Sequence, residues 1–277
     1  MSLFKDRIAF QAGQTSARVK RMTPLLGTFA RVQFYSEGAT QAELDALADQ
    51  CFYRLRSIQQ QMNYFEEQSL VARFNALAIG ESIEISDEMK AVLEFAEELR
   101  AESEGLFNVG LEKSHELNGN ILVRTGAHEI NLNGVAKGFA VDYAYQLVAE
   151  HPKAASIFGS INAGGDVRVF EKALMQLPIK IELGEKVFYR TLPVQRDAVA
   201  TSSFSSAGSK KIYHKNATCL GTAENPVRPK SASVVAPRAM VSDALTKVLL
   251  LAETAEEKKV AERCLRKYSA RGFCETE

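Results

Sequence analysis

Apolar side chains recur at intervals of three or four residues in four parts of the chain, the spacing that places them on one face of an α-helix. The first of these stretches follows Thr40, and Glu43 completes a capping-box pattern with that threonine. The spacing predicts helices over residues 40–62, 86–104, 136–150 and 241–268, the last of them broken near Thr254. Gly105 and Pro152 follow two of these stretches and are typical of helix ends.

Alternation of apolar and polar side chains predicts strands elsewhere. The pattern places strands at residues 26–36 and 231–237, and several short β-runs between residues 157 and 194. Residues 203–230 are rich in turn-forming side chains and have few apolar runs, so a loop is predicted there. Helices and strands do not alternate regularly, which favours an α+β fold, a mixed or antiparallel sheet with packed helices. We expect one domain over residues 1–277, built from two intertwined α/β halves.

The composition is that of a globular protein and narrows the possible functions. Hydrophobic residues make up 46% of the 277 positions, and Lys+Arg and Asp+Glu both number 34. No basic excess therefore indicates a nucleic-acid partner. The chain has no apolar run long enough for a membrane span, and its first residues lack the apolar run of a signal peptide. We therefore expect a cytoplasmic protein with no membrane span. The four cysteines include no C-x-x-C pair, which argues against a zinc site.

Three segments of small residues are candidates for ligand binding. Residues 131–142 (NLNGVAKGFAVD) place two glycines and Lys137 at the start of a predicted helix, where free N–H groups suit a phosphate. Residues 159–166 (GSINAGGD) contain the pair Gly164 and Gly165, which lets a backbone approach a ligand closely. A plain strand-to-helix turn with a surface lysine, and a tight turn between strands, are the alternatives for these two segments.

The third segment, residues 197–204 (DAVATSSF), is predicted to be a turn. The hydroxyls of Thr201 and Ser202 can bind a phosphate or the edge of a flavin, and an ordinary solvated turn is the alternative. Asp243 and Lys247 lie four residues apart in the last predicted helix. By themselves, they indicate a surface ion pair of about 0.2–0.5 kcal/mol.

The order and spacing of these segments resemble one family. The matching blocks are LGT at residues 26–28, MNYFEEQSLVARFN at 62–75, GLFNVG at 105–110, NLNGVAKGFAVD at 131–142, NAGGD at 162–166, ATSS at 200–203 and SDALTK at 242–247. They occur in the order found in the FAD:protein FMN transferases, or ApbE-type flavinyltransferases. The resemblance covers about residues 22–250, and the NLNGVAKGFAVD and NAGGD blocks are its most specific part.

The resemblance implies an activity, a substrate and a metal. A member of this family moves FMN from FAD to a threonine hydroxyl of a client protein and releases AMP. FAD is then the substrate, and a flavin nucleotide and a client protein are the partners. A magnesium ion on the FAD pyrophosphate is implied as well. The resemblance implies metal contacts at the Ala136 carbonyl, at Asp243 and at position 247, where this chain has Lys247.

Site residues follow from the same resemblance, position by position. Phe65 is expected to stack on an aromatic ring of FAD. The expected cofactor-binding residues are Phe65, Asn108, Asn131, Gly134, Lys137, Gly164, Gly165, Asp166, Thr201 and Ser202. The expected catalytic residues are Asp243, Lys137 and Thr201.

The chain departs from the family pattern by losing negative charges and gaining a positive one. Family aspartates are replaced by Asn108 and Asn131, and a third, expected shortly after His214, is missing. The threonine that binds the metal is replaced by Lys247, whose ammonium is expected near Asp243 and the Ala136 carbonyl. Fewer anionic oxygens beside a lysine weaken a magnesium site. Three functions therefore stay open: an active transferase, a flavin-binding protein without transfer activity, and an interaction module that retains only the fold.

Overall fold

A computed structural model describes residues 16–110, 114–183, 185–204, 212–213, 219–220 and 230–276. The helices are α1 (Gln41–Met62), α2 (Leu70–Asn75), α3 (Asp87–Glu102), α4 (Ala136–Ala149), α5 (Ala239–Leu251) and α6 (Ala255–Lys267). Thr40 and Thr254 form capping boxes that begin α1 and α6. The predicted starts of α1, α3 and α4 and the break near Thr254 are therefore confirmed, whereas α5 begins two residues before the predicted residue 241 and α2 was not predicted. None of the helices in these ranges combines the length and apolar character that a membrane crossing requires.

Fourteen strands are described in these ranges. They are β1 (Ala17–Leu25), β2 (Thr28–Ser36), β3 (Ser82–Glu84), β4 (His115–Asn118), β5 (Ile121–Arg124), β6 (Ile157–Ala163), β7 (Asp166–Phe170), β8 (Met175–Leu183), β9 (Lys186–Val194), β10 (Ala198–Phe204), β11 (Ile212–Tyr213), β12 (Cys219–Leu220), β13 (Lys230–Ala236) and β14 (Arg271–Thr276). Seven form one sheet in the order β1-β2-β6-β7-β10-β13-β14, and every neighbouring pair is antiparallel. The predicted α+β class with an antiparallel sheet is confirmed.

Two of the predicted boundaries are wrong. The strand predicted over residues 26–36 begins at Thr28, because Leu26 and Gly27 form the two-residue turn between β1 and β2. Both turn residues have positive φ, 57° and 68°, as the tight turn of a twisted hairpin requires. The loop predicted over residues 203–230 is too long, since β10 continues to Phe204 and β13 begins at Lys230.

The large sheet is covered on both faces. Helices α4 and α5 pack on one face, and α1 packs on α4, on the edge strand β1 and on β2. The hairpin β8–β9 covers part of the other face, where it encloses a smaller apolar core. Side chains alternate along β10, since Ala198 packs in the main core and Val199 packs in the smaller one. Successive side chains of β10 therefore point alternately toward the helices and toward the hairpin.

Candidate functional site

The site lies where the first turns of α4 and α5 meet. Gly138 in α4 packs directly on α5, and a Cβ added there would lie 2.3 Å from the Ala239 carbonyl oxygen and 2.8 Å from the Asp243 Cβ. Real Cβ atoms do not approach other atoms so closely, so only glycine fits this position without a backbone shift. The GFAVD sequence thus sets how close the two helices come.

Each of these two helices supplies a carboxylate that caps the other. The N-cap residues Val135 and Arg238 make no side-chain cap of their own. Asp142 in α4 accepts the N–H groups of Ala239 and Met240 at 2.8 and 2.9 Å. In return, the Asp243 carboxylate in α5 accepts the N–H of Gly138 at 3.1 Å. The two aspartates therefore satisfy N–H groups that a helix start otherwise leaves unpaired.

Burial and hydrogen bonds act in opposite directions on Asp142. Burial raises the pKa of its carboxyl, and the two N–H groups of α5 counteract the rise. The guanidinium groups of Arg168 and Arg238 add a weaker opposing effect, at 4.0 and 3.9 Å from the carboxylate. Asp142 closes the sequence block NLNGVAKGFAVD, but the sequence did not single it out as a functional position. Its cap role was missed because the partner N–H groups lie 97 and 98 residues further along the chain.

Asp243 is fully buried and is paired with a lysine of its own helix. Lys247 Nζ contacts the Asp243 carboxylate oxygen Oδ1 and donates to the Asp243 backbone carbonyl at 3.0 Å. The other carboxylate oxygen, Oδ2, accepts the Gly138 N–H. The surface ion pair considered for these two residues is therefore wrong, because the aspartate has no exposed surface. Lys247 is about a quarter exposed, so its ammonium lies at the boundary between core and solvent.

A second lysine–aspartate pair lies beside the first. Lys137 Nζ is 3.0 Å from Asp166 Oδ2, and Asp166 is only 2% exposed. The Asp166 charge raises the pKa of Lys137, so the ammonium is charged at neutral pH. Burial raises the pKa of Asp166, and the Asp243 carboxylate adds to the rise, while the ammonium groups of Lys137 and Lys247 oppose it. The four groups thus form one electrostatic cluster, and Lys137, whose side chain is about a third exposed, is paired with a buried carboxylate.

The turn between β6 and β7 brings Asp166 to this cluster. Gly164 and Gly165 have φ values of +65° and +106°, a region that side chains with a Cβ rarely adopt. A Cβ on Gly164 would also lie 2.5 Å from Thr28 Cγ2. Asn162 Oδ1 accepts the Gly165 N–H at 3.1 Å and holds the turn. The predicted tight glycine turn is present, and it begins the strand that carries the buried carboxylate.

The 131–135 segment forms the other wall of the site. Asn131 Oδ1 accepts the Asn133 N–H at 3.0 Å, and the Asn131 N–H donates to the Val109 carbonyl at 2.6 Å. Asn108 is exposed, and its Oδ1 accepts the Gly110 N–H at 3.2 Å. The two asparagines that replace family aspartates therefore shape adjacent turns.

Gly134 lies next to the lysine of α5. A Cβ built on Gly134 would lie 3.7 Å from Lys247 Cε and 3.6 Å from the Phe107 ring. Ala136 begins α4 two residues later and donates its N–H to the Leu132 carbonyl at 2.8 Å. The lysine stem thus crosses the turn that leads into α4.

An exposed aromatic ring is tied to the same wall. Phe65 is 79% exposed, and its ring meets the Tyr64 ring edge-on at a centroid distance of 5.3 Å. The Tyr64 hydroxyl donates to the Glu129 carboxylate. Asn75 bonds both backbone groups of Ile130, each at 2.9 Å. These contacts attach the loop that carries Phe65 to the chain just before the 131–135 turn.

Thr201 and Ser202 belong to strand β10, so the turn predicted at residues 197–204 is wrong. Their side chains lie on opposite faces because strand residues alternate. Ser202 Oγ is 2.8 Å from Thr246 Oγ1 in α5, whereas Thr201 Oγ1 is 3.0 Å from Ser233 Oγ in β13. The structure therefore brings Ser202 to the helix that carries Asp243 and does not bring Thr201 to that face.

The magnesium ion implied by the resemblance does not fit the residues present. Both carboxylate oxygens of Asp243 already accept donors from within the chain, and the third implied ligand position is a cation. In the part of the chain that the structure describes, no three His, Cys, Asp or Glu side chains are grouped as a metal site requires. Mg²⁺ needs several oxygen ligands in near-octahedral geometry. The site is thus built on ammonium groups.

The fold resembles that of solved ApbE proteins of low sequence identity. The ApbE protein of Thermotoga maritima is 18% identical with a TM-score of 0.76, and the match covers 94% of each chain. The flavinyl transferase ApbE of Pseudomonas stutzeri, in its apo form, is 16% identical with a TM-score of 0.74, covering 95% of this chain and 92% of that one. For the flavin transferase ApbE of Vibrio cholerae, the values are 15%, 0.72, 94% and 93%.

The sequence itself also matches a family model. The model of the ApbE family matches residues 26–121 and 109–271. This chain therefore belongs to the ApbE family, as its motif order indicates. No curated protein sequence matches the chain.

Proposed function

We propose that this chain binds FAD with the pyrophosphate beside Lys137 and Lys247, and transfers the FMN part to a threonine hydroxyl of a client protein. The observation that carries the proposal is the pair of ammonium groups held by the buried carboxylates of Asp166 and Asp243. The turn at residues 131–136 borders Lys247, and the turn at residues 164–165 leads to Asp166, with open space beside Gly165. Membership of the ApbE family supports the same activity.

The proposed reaction is a phosphoryl transfer that relies on positioning and charge. The threonine oxygen attacks the phosphorus on the flavin side of the pyrophosphate, and the bond from that phosphorus to the bridging oxygen breaks. AMP leaves with the bond electrons, and the hydroxyl proton passes to solvent. Lys137 and Lys247 neutralise charge on the phosphate oxygens. Asp243 acts by orienting Lys247, and Ser202, Asn108 and Asn131 border the nucleotide.

Replacing Phe65 by Ala is expected to weaken FAD binding roughly tenfold, because stacking on an aromatic ring contributes about 1–3 kcal/mol. Quenching of flavin fluorescence on titration with protein measures the affinity. Tyr53→Ala is the matched control, since Tyr53 is an equally exposed ring on α1, 72% against 79%. Equal affinities of the two variants would show that Phe65 does not touch the flavin.

Transfer is expected to depend on Lys137. Incubation of the wild-type chain with FAD and a threonine-bearing client domain should add the mass of FMN to the client and release AMP. Lys137→Met should reduce the rate by about 10²-fold or more, since one preorganised charge contact is worth that much in other enzymes. Lys153→Met is the control, because Lys153 pairs with Glu43 on the surface. An unchanged rate in Lys137→Met would refute the assigned role.

Flavin binding without transfer is the second candidate function. It is favoured by Lys247 at the implied metal position and by Asn108 and Asn131 at two positions where the family has aspartates. A chain of this kind would quench flavin fluorescence at saturation and release no AMP from FAD. The two candidates are therefore separated by the same titration and transfer assays.

A further inference from the structure

We propose that the Lys247 ammonium is a built-in cation that occupies the place of a divalent metal, so that this site works without Mg²⁺. The proposal starts from the disagreement between the implied magnesium site and the residues present. A lysine cannot ligate a metal while it is protonated, and here it is bonded to the only carboxylate among the three implied ligands. The lysine therefore takes the place of the ion.

The first support is that both carboxylate oxygens of Asp243 already have partners within the chain. Its Oδ1 is in contact with Lys247 Nζ, and its Oδ2 accepts the Gly138 N–H at 3.1 Å. The carboxylate has no exposed surface, so an ion from solvent reaches it only by displacing the ammonium. Displacement would leave the Lys247 ammonium next to a doubly charged ion. Neighbouring like charges repel strongly in a partly buried site.

The second support is the way in which Lys247 is held. It lies one helical turn after Asp243, so the two side chains share a helix face. Its stem crosses Gly134, where a Cβ would lie 3.7 Å from Cε and 3.9 Å from Cγ. Nζ also donates to the Asp243 carbonyl at 3.0 Å. The ammonium is thus fixed from three directions at the start of α4.

The geometry leaves the lysine a role toward a ligand. An ammonium has three N–H donors, and two of them are directed at Asp243. The third can donate to a phosphate oxygen, with Lys137 as the second cation of the same cluster. An ammonium acts as a point charge and lacks the fixed ligand geometry of a metal. This role toward a pyrophosphate rests on the proposed function, whereas the exclusion of the metal does not.

Titration with Mn²⁺ alone tests the exclusion without any flavin. Electron paramagnetic resonance of free Mn²⁺ measures binding to the wild-type chain, to Lys247→Thr and to the double variant Asp243→Asn, Lys247→Thr. We expect no saturable binding to the wild type at millimolar Mn²⁺. The threonine variant should bind one ion and gain thermal stability with it, and the double variant should lose that site. Circular dichroism confirms that each variant is folded.

Two results would overturn the proposal. One is Mn²⁺ binding by the wild-type chain that Asp243→Asn abolishes, because the metal would then share the carboxylate with the lysine. The other is a folded Lys247→Thr variant that binds no Mn²⁺, because the lysine would then not be what excludes the ion. The wild-type titration tests whether a metal shares the Asp243 carboxylate with the lysine, even if Lys247→Thr does not fold.

A flavin titration in EDTA and in Mg²⁺ separates this proposal from the proposed function. The wild-type affinity for FAD should be the same in both conditions, within about twofold. A loss of about tenfold or more in EDTA contradicts a built-in cation. Absence of FAD binding in both conditions contradicts the proposed function alone, because the Mn²⁺ titration decides the metal question without flavin.

Discussion

Replacing Gly138 by Ala is expected to lower the free energy of unfolding by about 3 kcal/mol, the upper end of the usual cost of overpacking a core. The added Cβ would lie 2.3 Å from the Ala239 carbonyl oxygen and 2.8 Å from the Asp243 Cβ. The obstacle is backbone at the start of a neighbouring helix, so it cannot move aside as a flexible side chain can. Urea denaturation followed by circular dichroism measures the change.

Gly134→Ala is the matched control for this prediction. A Cβ at Gly134 would meet its nearest neighbour at 3.6 Å, which is ordinary van der Waals contact. The control is expected to change stability by less than about 1 kcal/mol. If the two substitutions lower the free energy of unfolding equally, close packing of α4 on α5 does not explain why residue 138 is a glycine. The Cβ added in Gly138→Ala would also displace Asp243 and so weaken the site.

Replacing Lys247 by Met is expected to cost about 3 kcal/mol of stability at neutral pH, because it leaves the buried Asp243 carboxylate without its counter-ion. Asp243→Asn should cost less, about 1 kcal/mol, since an amide oxygen still accepts the Gly138 N–H and the partly exposed lysine can turn to solvent. The double variant should cost well below the sum of the two. A cycle of the four chains by urea denaturation measures the coupling energy.

Additive costs would show that Asp243 and Lys247 do not stabilise each other. The comparison also bears on function, because a strongly coupled pair resists entry of a metal between its partners. Lys90→Met supplies a control for the loss of a helical lysine. Lys90 makes a long i,i+4 contact of 4.0 Å with Glu94, in which both side chains are at least partly exposed, and its removal should have little effect.

Local patterns in the sequence predicted the helices well. The capping boxes at Thr40 and Thr254 depend on residues three positions apart, so a local pattern is sufficient to find them. The apolar stripe of α1 was visible for the same reason, since its buried residues include Leu44, Leu47 and Cys51. Motif order predicted the ApbE family, and the family model confirms it.

Strands and strand ends were harder to predict. Strand β1 reads ARVKRMTPL and alternates too weakly to be recognised, and its pairing with β2 depends on the turn at Leu26 and Gly27. The hydroxyl residues of β10 resemble those of a solvated turn, but Thr201 and Ser203 contact Ser233 and Ser231 of β13 through their hydroxyls. Pairing partners distant in the chain decide such segments, and no local pattern contains them.

The sequence by itself predicted the five longer helices, the α+β class and the family, and it proposed most of the residues discussed around the site. The family resemblance also implied a metal-binding threonine at the position where this chain has Lys247. Only the tertiary structure decided that Asp243 is fully buried and that its two oxygens are shared by Lys247 and Gly138. Burial depends on the close approach of α4 and α5, which are 105 residues apart at the Gly138–Asp243 contact. The same i,i+4 spacing describes a surface ion pair or a buried one, and packing alone distinguishes them because it removes water from the carboxylate.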